Sequence, residues 1–446
     1  MRTRTVVFLA AVLAAATCLN ARVPAAAQPS AKGPVVSLSL HDALQLALAN
    51  NLTYQSALTD ENAAAAQVVQ ARSAILPTVG AGYSYFHTQS EGAFKFDTPA
   101  GIETIEVSSQ NVNSVNATLA YALYTGGAAQ AGIGQAVAHL AQTENQLAGL
   151  RNSVIQDTTS AYFHLIEVTR SAQVADEAVA VGTQDLKTAN ELYTAGTAAK
   201  VDVLRSEVTL ADANLNAIKA HNDVSLANAQ LANLLDINLS SIITPTDSLE
   251  TQAPSYELDS LLTSAQTRPE LAAAHDAVVI ADNVVKGARA AYYPSVDLQV
   301  QEGSQLPNFV NVPQPQLSET LAVTWQLYSG GLTRGKVQQA ISEVDKAKIN
   351  LKATDNDVDL EVREAYFNYT AAQAAVQAAQ SATVSARENF RVNQIRFKAG
   401  VGTSLELSDA LLSSTQAENG YISALTDLRV SLVSLQRAAG LIPKQI

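Results

Sequence analysis

Gly330, Gly335 and Lys336 reproduce the GxxxxGK spacing in which backbone amides cradle phosphates and a lysine reaches toward them. Val337, however, stands where a hydroxyl should hold Mg²⁺. The residues before Gly330 also alternate apolar with polar, whereas a phosphate-loop strand is buried on both faces. The six histidines, His41, His87, His139, His164, His221 and His275, are scattered singly with no metal-ligand spacing. Cys18 is the only cysteine, and no nucleophile-and-base constellation is visible. The sequence therefore predicts no enzyme, no cofactor and no metal centre. What remains is charge: Glu406 and Asp409, three residues apart at the start of an expected helix, share one face. Acids in that place also complement a helix macrodipole, which is the purely structural reading.

The elements that would position these carboxylates follow a secretory signal. Arg2 and Arg4 precede an apolar run from Val6 to Ala16, and Ala25, Ala26 and Ala27 offer a small-residue cleavage site before Gln28. A lipid-modified Cys18 is the competing reading, although Ala15 and Thr17 fit a lipobox poorly. Cleavage after Ala27 removes three arginines and takes the formal charge from −13 to −16. That charge argues against a nucleic-acid partner and suits the passage of cations or dipolar solutes. The chain is Ala-rich with few charges, one Trp and one Met, a composition for long, closely packed helices. No later stretch reaches 18 apolar residues, so any membrane span must be made of strands.

The chain is written twice. Ala71, Arg72 and Pro77 recur 217 positions later as Ala288, Arg289 and Pro294. Tyr124, Gly126 and Gly127 recur 204 positions later as Tyr328, Gly330 and Gly331, Tyr162 and Phe163 as Tyr366 and Phe367, and Tyr193 and Gly196 as Phe397 and Gly400. The difference places a 13-residue excess in a loop between Pro77 and Gly126. Lys336 has Gly132 as its counterpart, which counts further against a phosphate loop.

Each copy reads helix, two strands, long helix, turn, shorter helix. Repeat 1 (28–257) has helices at about 41–75, 128–195 and 201–236, with strands within about 78–124. Repeat 2 (258–446) has helices at about 258–292, 332–399 and 403–438, with strands within about 295–328. Leu204, Val208, Ala211, Leu215 and Ile218 form the seam of a helix packed lengthwise, as do Leu425, Leu428, Leu432 and Leu435. At ~1.5 Å per residue the 128–195 helix is about 100 Å long, and the two shorter helices of its copy together match it.

Between the helices Val79, Ala81, Tyr83 and Tyr85 alternate with small or polar residues, as do Val115 to Leu123, Val296 to Val300 and Leu321 to Leu327. Such strands suit a barrel with lipid outside and water inside, with Tyr124, Trp325 and Tyr328 in an interfacial girdle. A pair of soluble antiparallel hairpins would alternate in the same way. Four strands cannot close a barrel, and open edges in hydrocarbon leave backbone groups unsatisfied at several kcal/mol each. A dimer, trimer or tetramer would close it with about eight, twelve or sixteen strands.

"SLHDALQLALANN" at the start, "QARSAILP" and "GARAAYYP" before the strands, "YTGG" and "YSGG" after them, and "LYTAGTAAKVDVL" and "RFKAGVGTSLEL" at the helix turns resemble the TolC-like outer-membrane efflux and secretion family. Both copies match across nearly the whole mature chain. The resemblance implies an internally duplicated mixed α/β membrane protein, four strands per protomer in a shared twelve-stranded β-barrel of a homotrimer. That barrel continues into a long periplasmic α-helical barrel. Residues 237–257 and 440–446 would form an equatorial belt. The implied function is a passive outer-membrane exit duct for efflux or type I secretion, docked through a periplasmic adaptor to an inner-membrane pump or exporter. By the same resemblance the helix tips Gly196, Thr197, Gly400, Gly402 and Thr403 face the adaptor, and Glu406, Asp409 and Asp202 mark the channel constriction. The repeat adds that Glu406 and Asp409 correspond to Asp202 and Arg205, so the first copy is expected to neutralise its acid locally and the second is not. Gly402 stands where some relatives carry a basic residue that latches the closed state. A soluble or surface-attached coiled-coil structural protein or adhesin is the alternative, sharing the helices without needing the strands.

The mature protein should begin at Gln28 and carry no lipid. Mass spectrometry of the purified chain checks this, and diacylglycerol on Cys18 would be the contrary result.

Overall fold

Pro77 and Pro294 follow helix ends, and the pairs Gly126–Gly127 and Gly330–Gly331 open new helices, so the intervening chain is free to be extended. The computed structural model describes residues 34–88, 92–99, 101–107, 110–250, 253–307 and 314–442. The expected signal peptide, Cys18, Gln28 and residues 443–446 lie outside the described residues.

Repeat 1 contains β1 (Val35–Leu38), α1 (Leu40–Asn50), α2 (Leu52–Ser73), β2 (Thr78–Thr88), β3 (Gly92–Thr98), β4 (Gly101–Val107) and β5 (Gln110–Tyr124). It ends with α3 (Ala128–Thr194), α4 (Lys200–Leu234) and β6 (Ile242–Pro245). Repeat 2 contains α5 (Leu258–Ala265), α6 (Pro269–Ala290), β7 (Ser295–Pro307), β8 (Gln314–Thr324), α7 (Leu332–Lys398) and α8 (Ser404–Ala438). Among the described residues no helix is long and apolar enough to cross a membrane.

One antiparallel sheet runs in the order β2-β5-β7-β8. Its register makes the alternation coherent from strand to strand. Val79, Leu119 and Val300 form one apolar row and Tyr121, Leu298 and Leu321 the next, while Thr118, Gln301 and Ser318 share the opposite face. The excess of the first copy is a separate hairpin, β3 with β4. The glycine pairs take left-handed φ of 66° and 95° in the first copy and 61° and 92° in the second, a conformation that glycine adopts without strain. At Gly126 a Cβ would also lie 2.6 Å from the Ala290 carbonyl oxygen.

Two expected helices are broken. The 41–75 segment splits at Asn51, where ψ is 118° and the side chain accepts the Tyr54 amide at 3.0 Å, capping α2 as a new helix. The 258–292 segment splits at Arg268, which Pro269 holds in extended geometry at ψ 142°. A parallel pair, β1 with β6, was not foreseen either; it joins Val35–Leu38 to Ile242–Pro245.

The helices form a wall with ordered neighbours. Beside the sheet the order is α2-α3-α6-α7; at the far end α4 packs on α3, and α8 lies between α3 and α7. At mid-height Tyr162, Phe163, Leu165 and Ile166 of α3 are buried with Ala43 and Ala47 of α1, Leu231 and Leu235 near the end of α4, and Ile243 of β6. The Tyr162 hydroxyl donates to Asp247 Oδ2 at 2.7 Å, with the Leu38 carbonyl at 2.9 Å, and accepts the Thr246 and Asp247 amides. Burial, with the Asp247 carboxylate beside it, pushes this phenol up to about 12. Arg268, only 3% exposed, binds Glu361 at 2.6 Å and Glu270 at 3.2 Å, tying the start of α6 to α7.

Tyr162→Phe should lower stability by about 1–3 kcal/mol, the cost of leaving buried partners unsatisfied. Tyr366→Phe at the repeat counterpart, whose hydroxyl makes no hydrogen bond among the described residues, should be nearly neutral. Calorimetric unfolding of the two variants distinguishes them.

Candidate functional site

The two helical hairpins, α3–α4 and α7–α8, end in turns built alike. Gly196 and Gly400 take φ of 78° and 72°, and their amides reach back to the carbonyls of Tyr193 and Phe397, each at 2.9 Å. Thr197 and Val401 follow with bonds to Leu192 and Arg396, each at 3.0 Å, which closes the open carbonyls of the last turn. Gly402 serves differently. A Cβ there would meet the Phe397 nitrogen at 3.0 Å and the Arg396 carbonyl carbon at 3.1 Å. The chain passes so close over the end of α7 that a side chain would have to displace backbone.

Thr403 caps α8, accepting the Glu406 amide at 3.2 Å, while Glu406 Oε2 accepts the Thr403 amide at 3.1 Å. Glu406 Oε2 also lies 3.7 Å from an Arg396 guanidinium nitrogen. This corrects the expectation that the second copy leaves its acid unneutralised: the base comes from the last turn of α7, where the first copy has Leu192. The first copy differs from expectation too. Asp202 forms no ion pair with Arg205 among the described residues; its Oδ2 accepts the Ala199 amide at 3.2 Å and its Oδ1 accepts the Ser404 hydroxyl at 2.6 Å. Asp202 therefore ties the two hairpins together, and Asp409 is left as an exposed carboxylate with no partner among the described residues.

The hairpins meet through a small apolar cluster of Ala189, Val203, Phe397 and Leu407. Thr209 and Ser408 hydroxyls add a bond of 3.0 Å beside it. Sequence reading missed Arg396, for which the "RFKAG" string offered the signal, and Ser404, whose role depends on contact across 202 positions.

The phosphate-loop residues are used otherwise. Gly330 and Gly331 make the turn into α7, and the Gly335 amide is spent on the Gly331 carbonyl at 2.9 Å. Among the described residues no three of His, Cys, Asp and Glu gather as metal ligands.

A family profile described as "Outer membrane efflux protein" matches residues 43–236 and 262–441, one segment in each copy of the repeat. The chain belongs to this family. Among relatives of this outer membrane efflux protein, Protein CyaE of Bordetella pertussis is 25% identical over 409 residues, covering 90% of this chain and 84% of its own. Outer membrane protein TolC of Escherichia coli is 22% identical over 427 residues, covering 91% and 83%. The solved structure of the outer membrane protein VceC from Vibrio cholerae superposes with a TM-score of 0.75 at 18% identity, over 90% of this chain and 96% of that one. The fold is thus that of an outer-membrane channel protein. As an outer membrane efflux protein the chain resides in the outer membrane, with its long helical portion in the periplasm.

Proposed function

We propose that three copies of this outer membrane efflux protein close into one passive exit duct, whose periplasmic tips receive an adaptor and, through it, an inner-membrane pump or exporter. One observation carries the assembly. The tip-proximal part of α4 bears a lengthwise apolar seam whose Leu204, Val208, Leu215 and Ile218 are 49–68% exposed, and Ile422 of α8, the equivalent of Ile218, is only 8% exposed, as are Leu425, Leu428 and Leu435 farther along α8 at 4% or less. The α8 seam is covered by its own chain. The α4 seam requires a neighbour. That neighbour is α7 of the next copy, because α7 lies at the opposite margin of the protomer and carries exposed Val384, Val392 and Ile395 at the height of the α4 seam.

The sheet has the same polarity. Its edges are β2 and β8, adjoining α2 and α7, so one head-to-tail contact would satisfy both sheet and helices. Three copies supply twelve strands, in keeping with the family resemblance. At the far end the turns carrying Gly196, Thr197, Gly400, Gly402 and Thr403 would meet the adaptor, with Val401 the exposed apolar contact.

The constriction follows from the pairing. Glu406, Asp409 and Asp202 stand near the tips, but Arg396 offsets Glu406 and Ser404 engages Asp202, so cation preference rests mainly on a ring of three Asp409 carboxylates.

Leu204→Asp with Val208→Asp should yield monomers in detergent, where light scattering on the parent chain gives a trimer; a monomeric parent would contradict the duct. In planar bilayers under a KCl gradient, Asp409→Ala should reduce cation preference more than Glu406→Ala, and Arg396→Ala should raise it. Equal reversal potentials for all four proteins would remove these residues from the constriction.

A further inference from the structure

We propose that Asp185 is a proton-operated clasp between the two hairpins of each protomer, holding the periplasmic tips together when protonated and loosening them when ionised. The proposal rests on the duct reading for its physiological meaning but not for its test.

Asp185 occupies a seam position of α3, between Gly182 and Ala189, where an apolar residue would be expected. It is 6% exposed, and its Oδ1 has no hydrogen-bond partner. Asp185 lines a void of about 10 Å³ together with Ser206, Thr209, Ser404 and Ser408, space for about one water molecule. Three of the four hydroxyls lining it are committed elsewhere: Ser404 to Asp202, and Thr209 and Ser408 to each other. The site therefore lies where α3, α4 and α8 meet, and Oδ1 of an ionised carboxylate there lacks a compensating donor.

On α7, Lys398 and a hydrogen bond from Gln394 favour the ionised form. On α4, Asp202 and Arg205 lie a turn toward the tip, with Asp202 already bound to Ser404. On α8, Glu406 and Asp409 are exposed, and on α3, Lys187 is exposed. Burial outweighs the help from Lys398 and Gln394 and raises the carboxyl from 3.8 to about 6. Because the packed junction favours the protonated form, its stability is complete below about pH 4, falls between about pH 4 and 6, and is least above that. The closed-to-loosened ratio should change by up to ~100-fold across this window. Acidification of the periplasm would thus clamp the duct shut.

Nitroxides at Ala198→Cys and Val401→Cys on the assembled mature protein report the separation of the two turns by electron-spin distance measurement. The parent should give a narrow distribution at pH 4.5 that broadens by pH 7.5. Asp185→Asn should stay narrow at both values, and Lys398→Met, which removes the favourable charge, should move the transition to higher pH. Glu406→Ala with Asp409→Ala should keep the parental transition. Persistence of the pH response in Asp185→Asn, or an unmoved midpoint in Lys398→Met, would overturn the clasp. Should Asp185→Asn not fold, the Lys398→Met midpoint decides alone. Absence of conductance in bilayers would speak against the duct and leave the distance result to judge the clasp.

Discussion

A four-stranded antiparallel sheet has two edges whose amides and carbonyls lack partners, and hydrocarbon offers none. That constraint reaches well beyond the strands. β2 runs directly from α2, and β8 runs through the Gly330–Gly331 turn into α7, so the open sheet edges lie over the outermost helices. Whatever pairs the sheet edges must also cover the margins of the helical wall. The exposed α4 seam stands on the same margin as β2 and α2, so that in the proposed assembly the apolar helix contact and the strand contact are parts of one interface.

Internal duplication makes such an interface economical in sequence, because the contact inside a protomer and the contact between protomers join equivalent elements. Ile422 of α8, 8% exposed, shows the satisfied version, and its equivalent Ile218 of α4, 68% exposed, the unsatisfied one. Equivalence is broken where the environment differs. The first copy carries the extra β3–β4 hairpin, and the two tip acids are treated differently: Asp202 is bound by a hydroxyl of the other hairpin, whereas Glu406 is offset by Arg396 of its own. The duplication fixes the architecture, and departures from it mark where the tips acquire distinct charge.

Much of this was legible from residue types alone. The glycine pairs declare left-handed turns, the period of two gives strand faces that the register joins into continuous rows, and the 204-position repeat locates both long helices to within a residue or two. The breaks were less legible. Arg268–Pro269 carried an X-Pro signal, but the run of alanines after it reads as unbroken helix; Asn51 is a breaker only because its side chain finds the Tyr54 amide. The β1–β6 pair unites segments more than 200 positions apart with four residues each, too short for any periodicity to register. At the tips the acids were visible but their partners were not, since Ser404 and Arg396 reach them through hairpin packing and close backbone approach at Gly402. Asp185 gave no signal of its own in the sequence, since its burial comes from α4 and α8 packing against α3.

The packing along the wall is graded, and the gradient assigns where motion belongs. At mid-height sixteen buried apolar residues from α1, α3, α4, α8 and the β1–β6 region form one cluster, bolted by the Tyr162–Asp247 bonds and backed by the Arg268 network. At the tips only four buried apolar residues join the hairpins, accompanied by hydroxyl pairs and the unpartnered oxygen of Asp185. Local opening draws on regions with few buried apolar contacts, so the hairpins can part at their tips at far lower cost than at the belt. Because α3 and α7 each run unbroken through the belt into a tip, a displacement at the tip pivots about the mid-height core and leaves the sheet above it undisturbed. In the proposed duct the periplasmic end can therefore open without loosening the strand contacts that hydrocarbon forbids it to break.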